Sequence, residues 1–397
     1  MADSVHTARW ISQLSDTGWD VHLFPCEDGG IHTAFQRVTI HPLLRQFSPQ
    51  MDVTVQQTGI VWPFRRGRSR IATLIRRRIS RAEMLSGWIR RLNPDLVHTL
   101  EMQRAGYLTV DARRKMNGGF PPWIFSSWGN DIYHFSRQPE HEGRIRDVLL
   151  ACDYFVADCA RDLGLAREFG FTGCDLGVFP GGGGFDIPRM QAFAEGRPSE
   201  RRVVAVKGYQ SEMWGGRAVV ALHSLKLSAD ALKDYEVVVY SAHGSAQVSA
   251  AVRQLVDAGV RVSTLPKSSH DEMVRLMGRA RIALALSTTD GTPNTMLEAM
   301  IMGAFPVQSD TVSTPEWIVD GRNGLLVSPE DPDYASKAIR RALSDDQLVD
   351  QAAVVNHDLT KSEVDVSVVK PRVIQMYEQV ASFRRAISCY QGGLCAS

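Results

Sequence analysis

The stretch Ala283-Leu-Ala-Leu-Ser-Thr-Thr-Asp290-Gly-Thr-Pro-Asn-Thr-Met-Leu-Glu298-Ala-Met-Ile-Met-Gly303-Ala-Phe-Pro-Val-Gln-Ser-Asp310 reads as a strand, a turn, a helix and a second strand. An apolar strand ends at Ser287, and a polar turn with Gly291 follows. Pro293 suits the first turn of a helix, where its missing N–H goes unmissed. That helix should run through Glu298 to about Met302, and Gly303 should stop it. A second apolar strand follows over residues 305–308. Backbone N–H groups of residues 292–295 are then expected at a helix N-terminus, on the C-terminal edge of a parallel sheet. That is an anion site suited to phosphate, placed where open α/β sheets bind ligands. Asp290 precedes the helix and Glu298 lies inside it; carboxylates suit sugar hydroxyls better than phosphate. Phosphate donors beside two hydroxyl acceptors point to a sugar nucleotide.

Outward from this unit, apolar runs alternate with helical patterns over the whole chain. The spacing predicts strands over residues 21–24, 96–100, 123–128, 154–157 and 176–179 in the first half. In the second half it predicts them over 203–206, 236–240, 260–265, 282–286, 305–308 and 325–327. Such alternation means parallel doubly wound sheets covered by helices. Gly181, Gly182, Gly183 and Gly184 follow one another, which suits neither helix nor strand, so they read as a hinge. The run lacks the Lys-Ser/Thr of a phosphate loop. Three segments result: a first domain over residues 1–185, a second over 186–365, and a terminal helix and tail over 366–397 that should pack back on the first. The opening is unusual, because a helical pattern begins at Val5 with too few residues before it for a buried strand. The first strand is expected to be missing from the chain, or the first sheet to be one strand short.

The 397 residues suit two domains at about 150 residues or more each. Hydrophobic residues make up 44% and charged ones 22%, which excludes disordered and fibrous classes. Forty-five basic against forty-four acidic side chains leave a net charge of +1, which argues against a nucleic-acid partner. That average hides a local excess: ten arginines and one acid, Glu83, stand between Arg65 and Arg91. An apolar stripe runs through the same segment, and a basic amphipathic helix suits an anionic membrane surface. It equally suits a core-packed helix with a solvated face, or an arginine cluster that holds an anionic acceptor. Six cysteines without a CxxC pair read as reduced thiols, not as a disulfide frame or a zinc site. No apolar run approaches the ~20 residues that span a bilayer.

Asp290, seven residues, Glu298 and then Ala299-Met300, Gly303 and Pro306-Val307 resemble the signature of family 4 retaining glycosyltransferases, which have the GT-B fold. Pro315-Glu316 and the Asp320-Gly-Arg-Asn-Gly-Leu-Leu-Val327 run extend the match, and Trp128-Gly-Asn-Asp131 and Pro94-Asp95-Leu-Val-His98 resemble the family more weakly. The resemblance implies two Rossmann-like domains facing across a cleft, with the C-terminal helix crossing back to the N-terminal one. It implies that Glu298 holds the ribose hydroxyls and Asp290 a donor-sugar hydroxyl. Gly291, Thr292, Pro293, Asn294 and Thr295 then line the sugar and diphosphate. It also implies an Arg and a Lys on the diphosphate, and Lys207 and Arg217 are the available cations. Lys207 could instead be a solvated strand-end lysine, and Arg217 a helix-surface arginine. His6, His98, Glu101, Trp128, Asn130 and Asp131 are candidates for the acceptor side; His98 could instead be a satisfied core histidine.

Two departures stand out. The first acid is Asp290 where relatives carry Glu, and Trp128 stands where many relatives carry His. Retaining enzymes of this fold are drawn with front-face attack, the leaving phosphate taking the acceptor proton and no metal or cofactor required. Asp331-Pro-Asp333 resembles a metal motif, but it opens a helix and reads as an N-terminal cap. The expected function is transfer of a sugar from a nucleotide-diphosphate sugar, uridine ahead of guanosine, to a glycan or lipid-linked acceptor in bacterial surface glycan synthesis. The expected location is cytoplasmic, with peripheral membrane contact through the arginine segment. The alternatives are a non-catalytic sugar-nucleotide-binding protein, or an epimerase or phosphorylase, on the same fold.

Overall fold

The computed structural model describes residues 2–27, 29–42, 52–56, 80–242, 244–311 and 313–393. The chain divides into two units, Met1–Gly183 with Val369–Ser397, and Gly184–Val368. The arginine segment up to residue 79 lies outside the described residues, and from Ser80 the chain is helical over Arg81–Leu92.

The first unit opens with the helix Val5–Ser12, capped by Ser4, and no strand precedes it among the described residues. Its strands form two parallel sheets. One joins β1 (His22–Leu23), β2 (Val38–Ile40) and β3 (Val53–Val55); the other joins β4 (Val97–Leu100), β5 (Trp123–Ser126), β6 (Tyr154–Ala157) and β7 (Cys174–Val178). Sequence periodicity missed β2 and β3 because a three-residue strand is too short to show alternation. Both sheets feed one core with Trp10, Ile11 and the C-terminal helix, whose Val369, Val373, Met376, Tyr377 and Val380 are buried there. The helical pattern expected to run unbroken from residue 362 is split at Asp365. One helix, Asp346–Val364, ends there, and Val366–Gly393 begins beyond it. Asp365 makes the break by accepting from the Ser367 N–H at 2.8 Å.

The second unit is one six-stranded parallel sheet in the order β10-β9-β8-β11-β12-β13. The strands are β8 (Val203–Lys207), β9 (Glu236–Tyr240), β10 (Arg261–Thr264), β11 (Ala280–Ala285), β12 (Phe305–Ser309) and β13 (Leu325–Val327). Every residue of β11 and β12 is buried, as strands covered on both faces require. Asp331 caps the helix Pro332–Ser344 by accepting from the Tyr334 N–H at 2.9 Å. The Asn323 turn is also structural: its side-chain amide donates to Trp317 O and Asn356 Oδ1, both at 2.9 Å.

The glycine run shows why glycine is needed. Residues 181–184 have φ of 76°, 61°, 113° and 82°, where side chains bring strain. A Cβ on Gly183 would stand 2.5 Å from Gln13 Nε2, and Arg9 donates to Gly181 O at 3.3 Å. The run is thus packed onto the first helix. Pro180–Gly182 makes one tight turn and no regular helix, since Gly181 has φ 76° and ψ 9°.

Candidate active site

In the second unit, β11 ends at Ala285 and the chain turns at Ser287, whose hydroxyl donates to Thr289 O at 2.7 Å while its N–H donates to Ser309 Oγ at 2.7 Å. Ser313 Oγ donates to Gly291 O at 2.6 Å, so the turn is fixed from its far side too. The helix Asn294–Ile301 then starts behind Pro293, with no side-chain cap. The Gly291 N–H donates to Asp290 Oδ1 at 2.9 Å, so Asp290 shapes the very turn it was expected to serve. Met296 and Leu297 turn their N–H groups back to Pro293 O at 3.0 and 3.2 Å, which tightens the first turn.

Glu298 sits one turn into that helix. Its side chain is 8% exposed, and Oε1 lies 2.9 Å from Nε2 of His270. Burying a carboxylate is unfavourable unless it finds partners, and His270 is one. Tyr240, at the end of β9, is buried nearby; burial first, then the Glu298 charge, pushes its hydroxyl's pKa up. His270 escaped sequence reading because it precedes Glu298 by 28 residues in a different helix, at no motif spacing.

The loop after β8 folds against this turn. Thr288 N–H donates to Gly215 O at 2.8 Å, and a Cβ on Gly215 would meet Thr289 Cγ2 at 2.4 Å, so glycine alone permits the approach. Lys207 ends β8 in register with Tyr240. Arg217 is engaged: its Nε lies 2.6 Å from Glu330 Oε1 and its Nη2 3.5 Å from Glu212 Oε2, with the side chain 15% exposed. The second unit therefore brings Lys207, Arg217, Asp290, the helix start and Glu298 to one edge of its sheet.

In the first unit, Glu101 follows β4 and the Trp128 turn follows β5, again at the C-terminal edge. Asp131 Oδ2 accepts from the N–H groups of Trp128 at 2.7 Å and Met102 at 3.0 Å. Its carboxyl is pushed well up by burial and then by the Glu101 charge. Glu101 has φ 81° and ψ 144°, a strained backbone for a residue other than glycine. Its carboxylate accepts from Gln103, Arg104 and Ala105 N–H groups at 3.1, 3.0 and 3.2 Å, yet burial raises its pKa. The His6 and Trp128 rings meet edge to face at 5.9 Å, and Asn130 lies in the same turn. His98 stands apart from this group. Its Nδ1 lies 2.6 Å from the Tyr377 hydroxyl and its Nε2 2.7 Å from Ser126 Oγ, so both ring nitrogens are occupied inside the unit.

Two family models match the chain. Residues 213–345 match the one described as glycosyl transferases group 1, and residues 1–152 the one described as glycosyl transferase 4-like. Together they take in most of the chain. No curated protein matches it. Among solved structures, sucrose-phosphate synthase from Thermosynechococcus elongatus is similar with a TM-score of 0.67 at 14% identity, over 96% of this chain and 98% of that one. HepE of Anabaena, in complex with UDP and glucose, is similar with a TM-score of 0.63 at 14% identity, over 95% and 96%. A UDP-forming α,α-trehalose-phosphate synthase from Burkholderia xenovorans is similar with a TM-score of 0.63 at 14% identity, over 87% and 94%. At these identities the likeness speaks to the fold, which is GT-B.

Proposed function

The chain belongs to the glycosyl transferases of group 1, with a 4-like N-terminal part, and on that premise we propose that it is a retaining enzyme transferring a sugar from a nucleotide-diphosphate sugar to a hydroxyl acceptor. The observation that carries this reading is the buried Glu298 carboxylate behind a helix start without a side-chain cap. Glu298 accepts the ribose hydroxyls, and Asp290 turns its second oxygen to a hydroxyl of the donor sugar. The turn of Gly291, Thr292, Pro293, Asn294 and Thr295 faces the sugar and diphosphate. Lys207, and Arg217 once released from its carboxylates, neutralise the diphosphate as it leaves; charge-assisted contacts to the leaving group stabilise the transition state most. The leaving phosphate takes the acceptor proton, so no side-chain nucleophile and no metal is needed. His6, Glu101, Trp128, Asn130 and Asp131 form the acceptor side. His98 supports that edge from below, since both its nitrogens are already bonded.

The donor is a uridine diphosphate sugar, in keeping with the UDP bound in the HepE structure. The product belongs to a bacterial surface glycan. Among the described residues no helix is long and apolar enough to cross a membrane, and contact with a lipid-linked acceptor runs through the arginine segment. Charge reversal at Arg76, Arg77 and Arg78 then releases the protein from anionic liposomes; equal co-sedimentation by the variant overturns that contact. For the donor site, UDP raises the melting temperature of the wild type and leaves Glu298→Ala unmoved. No shift with UDP, GDP or ADP overturns the assignment.

A further inference from the structure

His270 is the first residue of the helix His270–Arg279, whereas Glu298 comes from the middle of Asn294–Ile301. Both ends of their 2.9 Å hydrogen bond are anchored. Ser269 and Glu272 close a capping box at the start of the His270 helix, and Asp271 pairs with Arg189 at 2.9 Å. Glu298 is flanked by Leu297 and Ala299, both fully buried. The imidazole is 39% exposed, against 8% for the carboxylate it meets.

The terminal torsion of a glutamate is broad, and a carboxylate held only at its root swings between orientations. Each carboxylate oxygen has two acceptor sites. A donor fixed on Oε1 sets the plane of the group and leaves the remaining lone pairs in a defined direction. A vicinal diol needs that definition, because its two hydroxyls must find two acceptor sites at once. Resting on the reading that Glu298 holds the ribose, we propose that His270 is the positioning residue for ribose recognition: its Nε2–H fixes the Glu298 carboxylate against the 2′,3′-diol. His270 does not touch the reacting atoms and acts through Glu298.

The test compares dissociation constants for UDP and 2′,3′-dideoxy-UDP in wild type, His270→Ala, His270→Gln and Glu298→Ala, with melting without ligand as the control for folding. Wild type prefers UDP and Glu298→Ala loses that preference. His270→Ala loses about tenfold of it, the size expected for a hydrogen bond to a charged group, with dideoxy-UDP affinity unchanged. His270→Gln, which keeps a donor near the same place, retains most of the preference. If His270→Ala keeps the full preference, or weakens both ligands equally, the positioning role is wrong while the donor site stands. If Glu298→Ala keeps the preference, the ribose assignment itself is wrong.

Discussion

The Tyr377 hydroxyl lies 2.6 Å from His98 Nδ1, although 279 residues separate them. Trp10 Nε1–H donates to the same hydroxyl at 2.8 Å. With a neutral ring the Tyr377 O–H donates to Nδ1, and the His98 Nε2–H donates to Ser126 Oγ at 2.7 Å. This chain of donors works only with a neutral imidazole. Burial agrees with it, pulling the His98 pKa down to about 3. The C-terminal helix is thus joined to β4, β5 and the first helix through one polar line inside an apolar core.

Acid should loosen this unit. Burial pulls the His98 imidazole from its ordinary 6.5 down to about 3 in the folded chain, so between these values the unfolded chain binds the extra proton. Stability is full above about pH 6.5 and falls as pH drops toward the folded value. The loss reaches about 2 kcal/mol by pH 5 from this group alone. Urea unfolding at pH 5, 6 and 7 reads it, and His98→Gln should flatten the curve over that window. An unchanged slope in the variant means His98 is protonated in the folded state and the donor chain is misassigned.

Two glycines should respond to alanine with opposite signs. Gly183 combines φ 113° with a Cβ position 2.5 Å from Gln13 Nε2, so Gly183→Ala should destabilise by about 1–3 kcal/mol. Gly87 lies in the helix Arg81–Leu92, with nothing within 4 Å of an added Cβ. Gly87→Ala should stabilise by up to about 1 kcal/mol. Thermal or urea melts of the two variants check the pair; a neutral Gly183→Ala means the glycine run is not held against the first helix.

What could be read in advance follows the range of the interactions. The strand, turn and helix from Ala283 to Met302 were legible because each boundary has a local cause: Pro293 at the start, Gly303 at the end, and a strand apolar on both faces. The three-residue strands β2 and β3 have no such local signature. The partners that decide chemistry lie far along the chain. Glu330 claims Arg217 across 113 residues, His270 reaches Glu298 across 28, and Tyr377 removes His98 from the acceptor edge across 279. No spacing rule spans such distances, so the types of residue at the site were readable and their pairings were not.

Asp290 should separate binding from turnover. One of its oxygens holds the Gly291 N–H at 2.9 Å, and on the proposed reading the other serves the donor sugar. Asp290→Asn keeps an acceptor for Gly291 while replacing the outer oxygen by a donor. UDP affinity should therefore change less than about twofold, while turnover of the sugar nucleotide falls about tenfold or more. Calorimetry with UDP and initial rates with the intact donor measure the two effects. A parallel loss of both would place Asp290 at the nucleotide instead of the sugar.

Arg217 presents the sharpest conflict between position and occupancy. It stands on the loop where a diphosphate cation is wanted, yet Glu330 holds its Nε at 2.6 Å. Glu330 is 59% exposed, and an ion pair with one solvated partner contributes little. A diphosphate carries more charge than one carboxylate and can take the guanidinium from it. Glu330→Gln removes the competitor, so UDP should bind a few-fold tighter, with a steeper loss of affinity as salt rises. Arg217→Ala should weaken UDP binding about tenfold or more, the scale of a lost charge-assisted hydrogen bond. Calorimetry at two salt concentrations decides between the roles. If Arg217→Ala and Glu330→Gln lower the melting temperature alike and leave UDP affinity untouched, the pair is a structural clasp on the loop, and Lys207 is left as the cation for the diphosphate.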